Sequence, residues 1–149
     1  MSVSRLGNFY AAWIPGQEVW QVHQRVSSQR LQSIGYQPDG NLWMVARGAQ
    51  IRLNDNAEDP ESWNKPIIPI TDGYGCMDMA WSKDGAIWAG GGNGTLLVSR
   101  DGGDSWERDP ESRQAPTNFN RFVFDDSEGQ DHAFLLGERG LMLHWTAVS

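Results

Sequence analysis

The chain has 149 residues, 39% apolar and 21% charged, a balance typical of soluble proteins and enough to bury one modest core. Its formal net charge of −7 argues against nucleic acid as a partner, where a basic footprint is expected. No apolar run approaches the ~20 residues of a membrane-spanning helix, and the lone Cys76 excludes an internal disulfide and a cysteine-based zinc site.

Seventeen glycines and eight tryptophans favour many short strands over helices. Met1-Ser2-Val3-Ser4-Arg5 leads straight into strand-like sequence with no secretory signal before it. Residues 7–13 predict a strand, Ile14-Pro15-Gly16 a turn, and residues 18–24 a second strand containing Trp20, an incomplete repeat over about 5–25. A second repeat, about 31–69, has strands near 32–37, at 41–47 and at 49–53, then a long loop from Asn54 that closes on Ser62-Trp63, with a fourth strand expected after it. The third, about 75–110, is predicted complete with four strands. The fourth, about 118–146, has strands at 120–124, 133–137 and 141–145, and the sequence stops without a fourth.

The third repeat carries the clearest local chemistry. Asn93-Gly94 between two apolar runs suits a tight hairpin, because both residues tolerate positive φ. Ser99-Arg100-Asp101-Gly102-Gly103-Asp104-Ser105-Trp106 then fits the Asp-box pattern Ser-x-Asp-x-Gly-x-[Ser/Thr]-Trp. Asp101 is expected to accept backbone N–H bonds across the turn, Gly103 to supply a conformation closed to other residues, and Trp106 to cover the loop. Ser99, Asp101, Gly103 and Trp106 are therefore read as structural, with no group left over for catalysis.

The chain also repeats at long range. Asp39-Gly40 and Asp84-Gly85 stand 45 residues apart and Glu128-Gly129 follows 44 later, while Gly7, Gly48, Gly94 and Gly140 form a second series. A period of this length with four short strands is the signature of a β-propeller blade. The expectation is an all-β, partial β-propeller of about three and a half four-stranded antiparallel blades, one domain over 1–149. Two, four, four and three strands make thirteen, too few to close a ring alone, so the open edges are expected to pair with another copy or to be completed by strands from elsewhere.

Charge is distributed unevenly. Residues 1–53 carry a balance of +3, with every positive charge an arginine, whereas residues 54–149 carry −10. Arginine presents a rigid fork of donors to carboxylates, so clustering points to protein or anion recognition. His23, His132 and His144 are far apart in sequence and show no metal-ligand spacing. Asp125 to Asp131 has a faint calcium-loop look, but Leu136 stands where the bidentate Glu would be required. No metal or cofactor is expected. An enzymatic alternative, a sialidase-like glycosidase, needs a tyrosine–glutamate pair, and Tyr10, Tyr36 and Tyr74 have no evident Glu partner. A generic protein- or glycan-binding propeller using exposed tryptophans such as Trp13 or Trp43 is the other alternative.

The run from His23 to Gln50, together with Gly7-Asn8-Phe9-Tyr10, Leu96 to Gly103 and Leu135 to Leu143, resembles the photosystem II stability/assembly factor family, seven-bladed Asp-box propellers. The likeness covers essentially the whole chain, aligned to the C-terminal half of the family. It implies a non-enzymatic factor on the lumenal side of the thylakoid membrane that binds newly made D1 reaction-centre protein and assists early reaction-centre assembly. It also implies an arginine-rich partner-binding patch, with Arg25, Arg30, Arg47 and Arg52 at the matching positions. Relatives often have a second arginine next to the one at Arg30, where this chain has Gln29.

Overall fold

The computed structural model describes residues 2–3, 10–13, 15–23, 29–56, 59, 62–115, 117–125 and 132–146. Four antiparallel sheets follow one another in chain order. The first holds β1 (Ser2–Val3), β2 (Tyr10–Ala12) and β3 (Gln21–His23). The second holds β4 (Leu31–Tyr36), β5 (Leu42–Ala46) and β6 (Gln50–Leu53). The third holds β7 (Cys76–Trp81), β8 (Ile87–Gly91), β9 (Leu96–Ser99) and β10 (Glu107–Arg108), and the fourth β11 (Phe119–Asp125), β12 (His132–Gly137) and β13 (Met142–Thr146).

The all-β partial propeller expected from the sequence is the observed fold, with two redistributions of strands. The first repeat has three strands where two were expected, because Ser2 and Val3 pair with Ala11 and Tyr10. Two residues are too few for alternation to register in sequence. Its last strand begins at Gln21, leaving Trp20 outside it and 52% exposed. In the second repeat the expected fourth strand shrinks to two isolated bridges, Asn54 to Trp63 and Ile51 to Ile67. Between them the Asn64 side chain accepts the Leu53 N–H at 2.9 Å, and Pro66 has no N–H to offer a ladder. Residues 7–9 and Glu128-Gly129 lie outside the described residues.

Packing is between sheets. β4 packs on β1 and β7, and β7 and β8 pack on β11. β5 and β8 are buried along their whole length, so their sequences Leu-Trp-Met-Val-Ala and Ile-Trp-Ala-Gly-Gly read as unbroken apolar runs and not as alternation. Tyr10, Leu31, Leu42, Met44 and Ala46 form a core with Trp63 packed against it. Trp43, Val45, Ile51, Met79, Ile87 and Leu97 form the next, with Trp106 against it. Trp88, Leu96, Phe119, Phe122 and Leu135 form the third, with Trp145 against it. Each large side chain removed from water contributes about 1.5–3 kcal/mol. The indole of Trp43 lies over Gly35, where a Cβ would stand 2.7 Å from the ring.

One buried carboxylate joins three sheets. Ser33 lies on β4, Asp78 on β7 and Phe122 on β11, the first strands of three successive repeats. Asp78 is 4% exposed; it accepts the Ser33 hydroxyl on one oxygen and the Phe122 N–H, at 2.9 Å, on the other. Burial of a charge demands such partners, and here they fix the positions of the neighbouring sheets.

Candidate partner-binding face

The strand order places three hairpin turns and the connections between sheets at one end of the molecule. Residues 47–49 join β5 to β6, residues 92–95 join β8 to β9, and residues 138–141 join β12 to β13. Backbone bonds tie these turns to the chain entering each sheet: Arg47 N–H to Arg30 C=O at 2.8 Å, Gly92 N–H to Gly75 C=O at 3.1 Å, Gly94 N–H to Thr117 C=O at 2.6 Å. Asn118 links two of the turns, accepting the Asn93 N–H at 2.8 Å and donating to Glu138 at 2.8 Å. The Glu138 N–H in turn donates to the Thr117 hydroxyl at 2.9 Å. The result is a continuous face built of turns, held together by backbone bonds and by the side chains of Thr117, Asn118 and Glu138.

Of the four arginines predicted to meet a partner, Arg30 and Arg47 are brought together on this face by that backbone bond, and both are exposed. Neither guanidinium has a hydrogen bond or ion pair among the described residues. Arg52 is placed differently. It lies within β6 opposite Met44, half-buried, and donates from Nη1 to the Asn64 carbonyl at 3.1 Å, holding the segment that replaces the missing strand. Arg25 lies outside the described residues.

Other arginines on the face divide into paired and unpaired. Arg108 reaches Asp72 at 3.3 Å and the Asn93 carbonyl at 3.4 Å. Arg113 sits on the short 3₁₀ segment Glu111–Gln114 that connects the third and fourth sheets, and Arg139 on the last turn. Arg139 takes φ 57° at the place where the two preceding turns have Gly48 and Asn93. A cavity of about 580 Å³ beside it is lined by Thr117, Glu138, Arg139, Gly140 and Leu141.

The Asp box lies at the opposite end and is closed on itself. The Ser99 hydroxyl donates to Asp101 and accepts the Gly103 N–H, both at 2.8 Å. Asp101 also accepts the Ser105 hydroxyl and, at 2.9 Å, the Ser105 N–H, while Trp106 Nε1 donates to the Gly103 carbonyl at 3.0 Å. Those Ser105 bonds, and then the one from Ser99, lower the Asp101 carboxyl to about 2. Arg100 reaches Asp84 at 3.4 Å, tying this loop to the turn after β7.

The sheets also bring together groups the sequence keeps apart. His132 Nδ1 and His144 Nε2 are 3.1 Å apart on β12 and β13, a contact created by strand pairing and invisible to local spacing. Among the described residues no group of three His, Cys, Asp or Glu could hold a metal ion. His23 stacks on Tyr10, ring centroids 4.7 Å apart. Of the two tryptophans expected to serve a glycan-binding propeller, Trp43 is only 6% exposed, because β5 runs through the core, whereas Trp13 is 51% exposed. Burial pushes the Cys76 thiol up to about 12, which leaves it inert.

The sequence profile described as Photosynthesis system II assembly factor YCF48 matches residues 1–146. The chain belongs to the YCF48 family. Curated relatives named Photosystem II assembly lipoprotein Ycf48 include one from Synechococcus sp. (strain CC9902), 75% identical over 97% of this chain and 42% of its own length. Another, from Prochlorococcus marinus (strain MIT 9313), is 56% identical over 97% of this chain and 44% of its own. The chain thus spans under half the length of the YCF48 relatives it matches. A solved structure described as YCF48 bound to D1 peptide superposes with TM-score 0.86 at 35% identity, covering 98% of this chain and 46% of that one. YCF48 from Cyanidioschyzon merolae superposes with TM-score 0.80 at 30% identity, over 96% and 46%.

Proposed function

We propose that the chain acts in photosystem II assembly by binding the D1 reaction-centre protein through the arginines of its turn face, without catalysing a reaction. The observation that carries this reading is the likeness, over 98% of the chain, to a YCF48 bound to D1 peptide. Arg30 and Arg47 supply the chemistry. Two exposed guanidiniums without partners among the described residues offer forked, charge-assisted hydrogen bonds to carboxylates of a peptide. Arg25 and Arg52 complete the set implied by family resemblance, Arg52 from a position where it also braces β6. A non-enzymatic role accords with the family's description as an assembly factor and with an Asp box whose carboxylate is consumed by its own turn. A lumenal, membrane-associated location accords with relatives named lipoproteins; no helix among the described residues is long and apolar enough to cross a membrane.

The test is titration of a labelled peptide from the C-terminal region of D1 against the wild-type chain and the Arg30→Ala/Arg47→Ala double variant. Wild type is expected to bind in a salt-sensitive way, and the double variant to bind at least about tenfold more weakly with an unchanged melting temperature. Equal affinity in the two proteins would overturn the reading.

A further inference from the structure

The turn face carries a second group of cations that neither the spacing of the arginine patch nor the family match singles out. Resting on the reading just given, we infer that Arg139 is a second anchor for an acidic peptide segment, and that the segment crosses the turn face from Arg30 and Arg47 to the cavity beside Arg139.

Three observations support this. The first is conformational. Each of the three turns holds two successive residues at positive φ, and the first of them is Gly48 at 82°, Asn93 at 52° and Arg139 at 57°. Glycine and asparagine suit that region, whereas a long side chain is uncommon there. An unfavourable residue kept at a turn tip points to a use for its side chain.

The second is a contrast between the signs of charge. On this face the acids are engaged within the protein: Asp72 by Arg108, Asp109 by the Ser112 N–H at 2.8 Å, Glu138 by Asn118. Glu111 is the exposed exception. By contrast Arg30, Arg47, Arg113 and Arg139 make no side-chain hydrogen bond or ion pair among the described residues. The face therefore offers four guanidinium forks with no ion-pair partner among the described residues, although the chain as a whole is acidic.

The third is shape and continuity. The cavity of about 580 Å³ is lined by Arg139 and Thr117 together with Glu138, Gly140 and Leu141, the Glu138 carboxylate being held by Asn118. The bonds through Thr117, Asn118 and Asn93 connect it to the neighbouring turn. Arg113 lies on the crossing between the third and fourth sheets. An extended segment bearing carboxylates fits such a row of forks separated by backbone-built turns.

The experiment compares Arg139→Gly, Arg139→Lys and Arg30→Ala/Arg47→Ala with the wild-type chain, using the same labelled D1 C-terminal peptide at low and high salt, alongside thermal melts. Arg139→Gly is expected to raise the melting temperature, because glycine relieves the positive-φ backbone, and to weaken peptide binding at least about fivefold. Arg139→Lys keeps the charge and loses the fork, and is expected to fall between. A purely structural arginine would instead show a lower melting temperature and unchanged affinity. If Arg139→Gly binds within about twofold of wild type while the Arg30/Arg47 variant is weakened, the second anchor is overturned and the D1 reading stands. If wild type does not bind, both fall.

Discussion

The second and third repeats solve the same problem by different means. In the third, the last strand pairs regularly with β9, and a carboxylate loop, Ser99 to Trp106, leads into it. In the second, the loop is two residues longer, and its first position is an asparagine. Asn54 stands where Ser99 stands, 1% exposed, and its amide donates to the Asp59 and Ser62 carbonyls at 2.8 and 2.7 Å. Trp63 nevertheless packs on the preceding sheet, meeting Tyr10 edge to face at 6.1 Å, much as Trp106 packs on its own predecessor. The tryptophan's position between sheets is therefore preserved even where the hydrogen-bonded loop before it is not. Inter-sheet packing constrains a repeat more tightly than the details of its loop.

The strongest way to break the comparison is to remove what the two repeats share. Asp78→Ala strips both Ser33 and Phe122 of their buried acceptor, and a loss of about 3–5 kcal/mol is expected in urea unfolding, from two bonds to a charged group and two stranded donors. Asp78→Asn, which keeps one acceptor, is expected to lose about half of that.

Next in size is the loop anchor. Asn54→Ala removes a buried amide together with its bonds to the Asp59 and Ser62 carbonyls and is expected to cost about 2–3 kcal/mol. Ser99→Ala removes a neutral hydroxyl whose partner Asp101 keeps its bonds to Ser105 but leaves the buried Gly103 N–H without its acceptor, and about 1–2 kcal/mol is expected. Equal losses at the two positions would show that the loops are interchangeable after all.

The smallest effect sharpens the contrast by pH. Asp101 is lowered from 3.8 to about 2 in the folded chain, so it binds its proton more readily when unfolded. Its contribution to stability is present above about pH 4 and is lost as pH falls toward about 2. Asp84 is lowered too, by the Ser82 hydroxyl and the Ala86 N–H, and adds to the same acid limb. Asp101→Asn is expected to flatten the pH dependence of the melting temperature below about pH 4. Asp55→Asn in the second repeat, where Asp55 accepts only the Ser62 hydroxyl among the described residues, is expected to change it less.

Much of this was legible in the sequence because it is local or periodic. The Asp box, the Asn93-Gly94 turn and the strands of repeats three and four depend on residues within a few positions of one another. The repeat length of about 45 residues carried the architecture. The arginine excess in the first third was a matter of counting, and the family resemblance pointed to Arg25, Arg30, Arg47 and Arg52.

Tertiary structure decided the rest. Strand pairing placed Arg30 beside Arg47 and turned Arg52 toward Asn64. It set His132 against His144 and assembled Ser33, Asp78 and the Phe122 N–H, each more than forty residues from the next, around one buried carboxylate. It also reduced an expected strand to two bridges, because the Asn64 side chain took over a backbone bond. The physical reason is the same in each case. Local sequence sets the conformation of a turn or strand, but which side chains are left without partners, and so free to bind, is fixed only when separate repeats pack and consume the hydrogen-bonding groups of their neighbours.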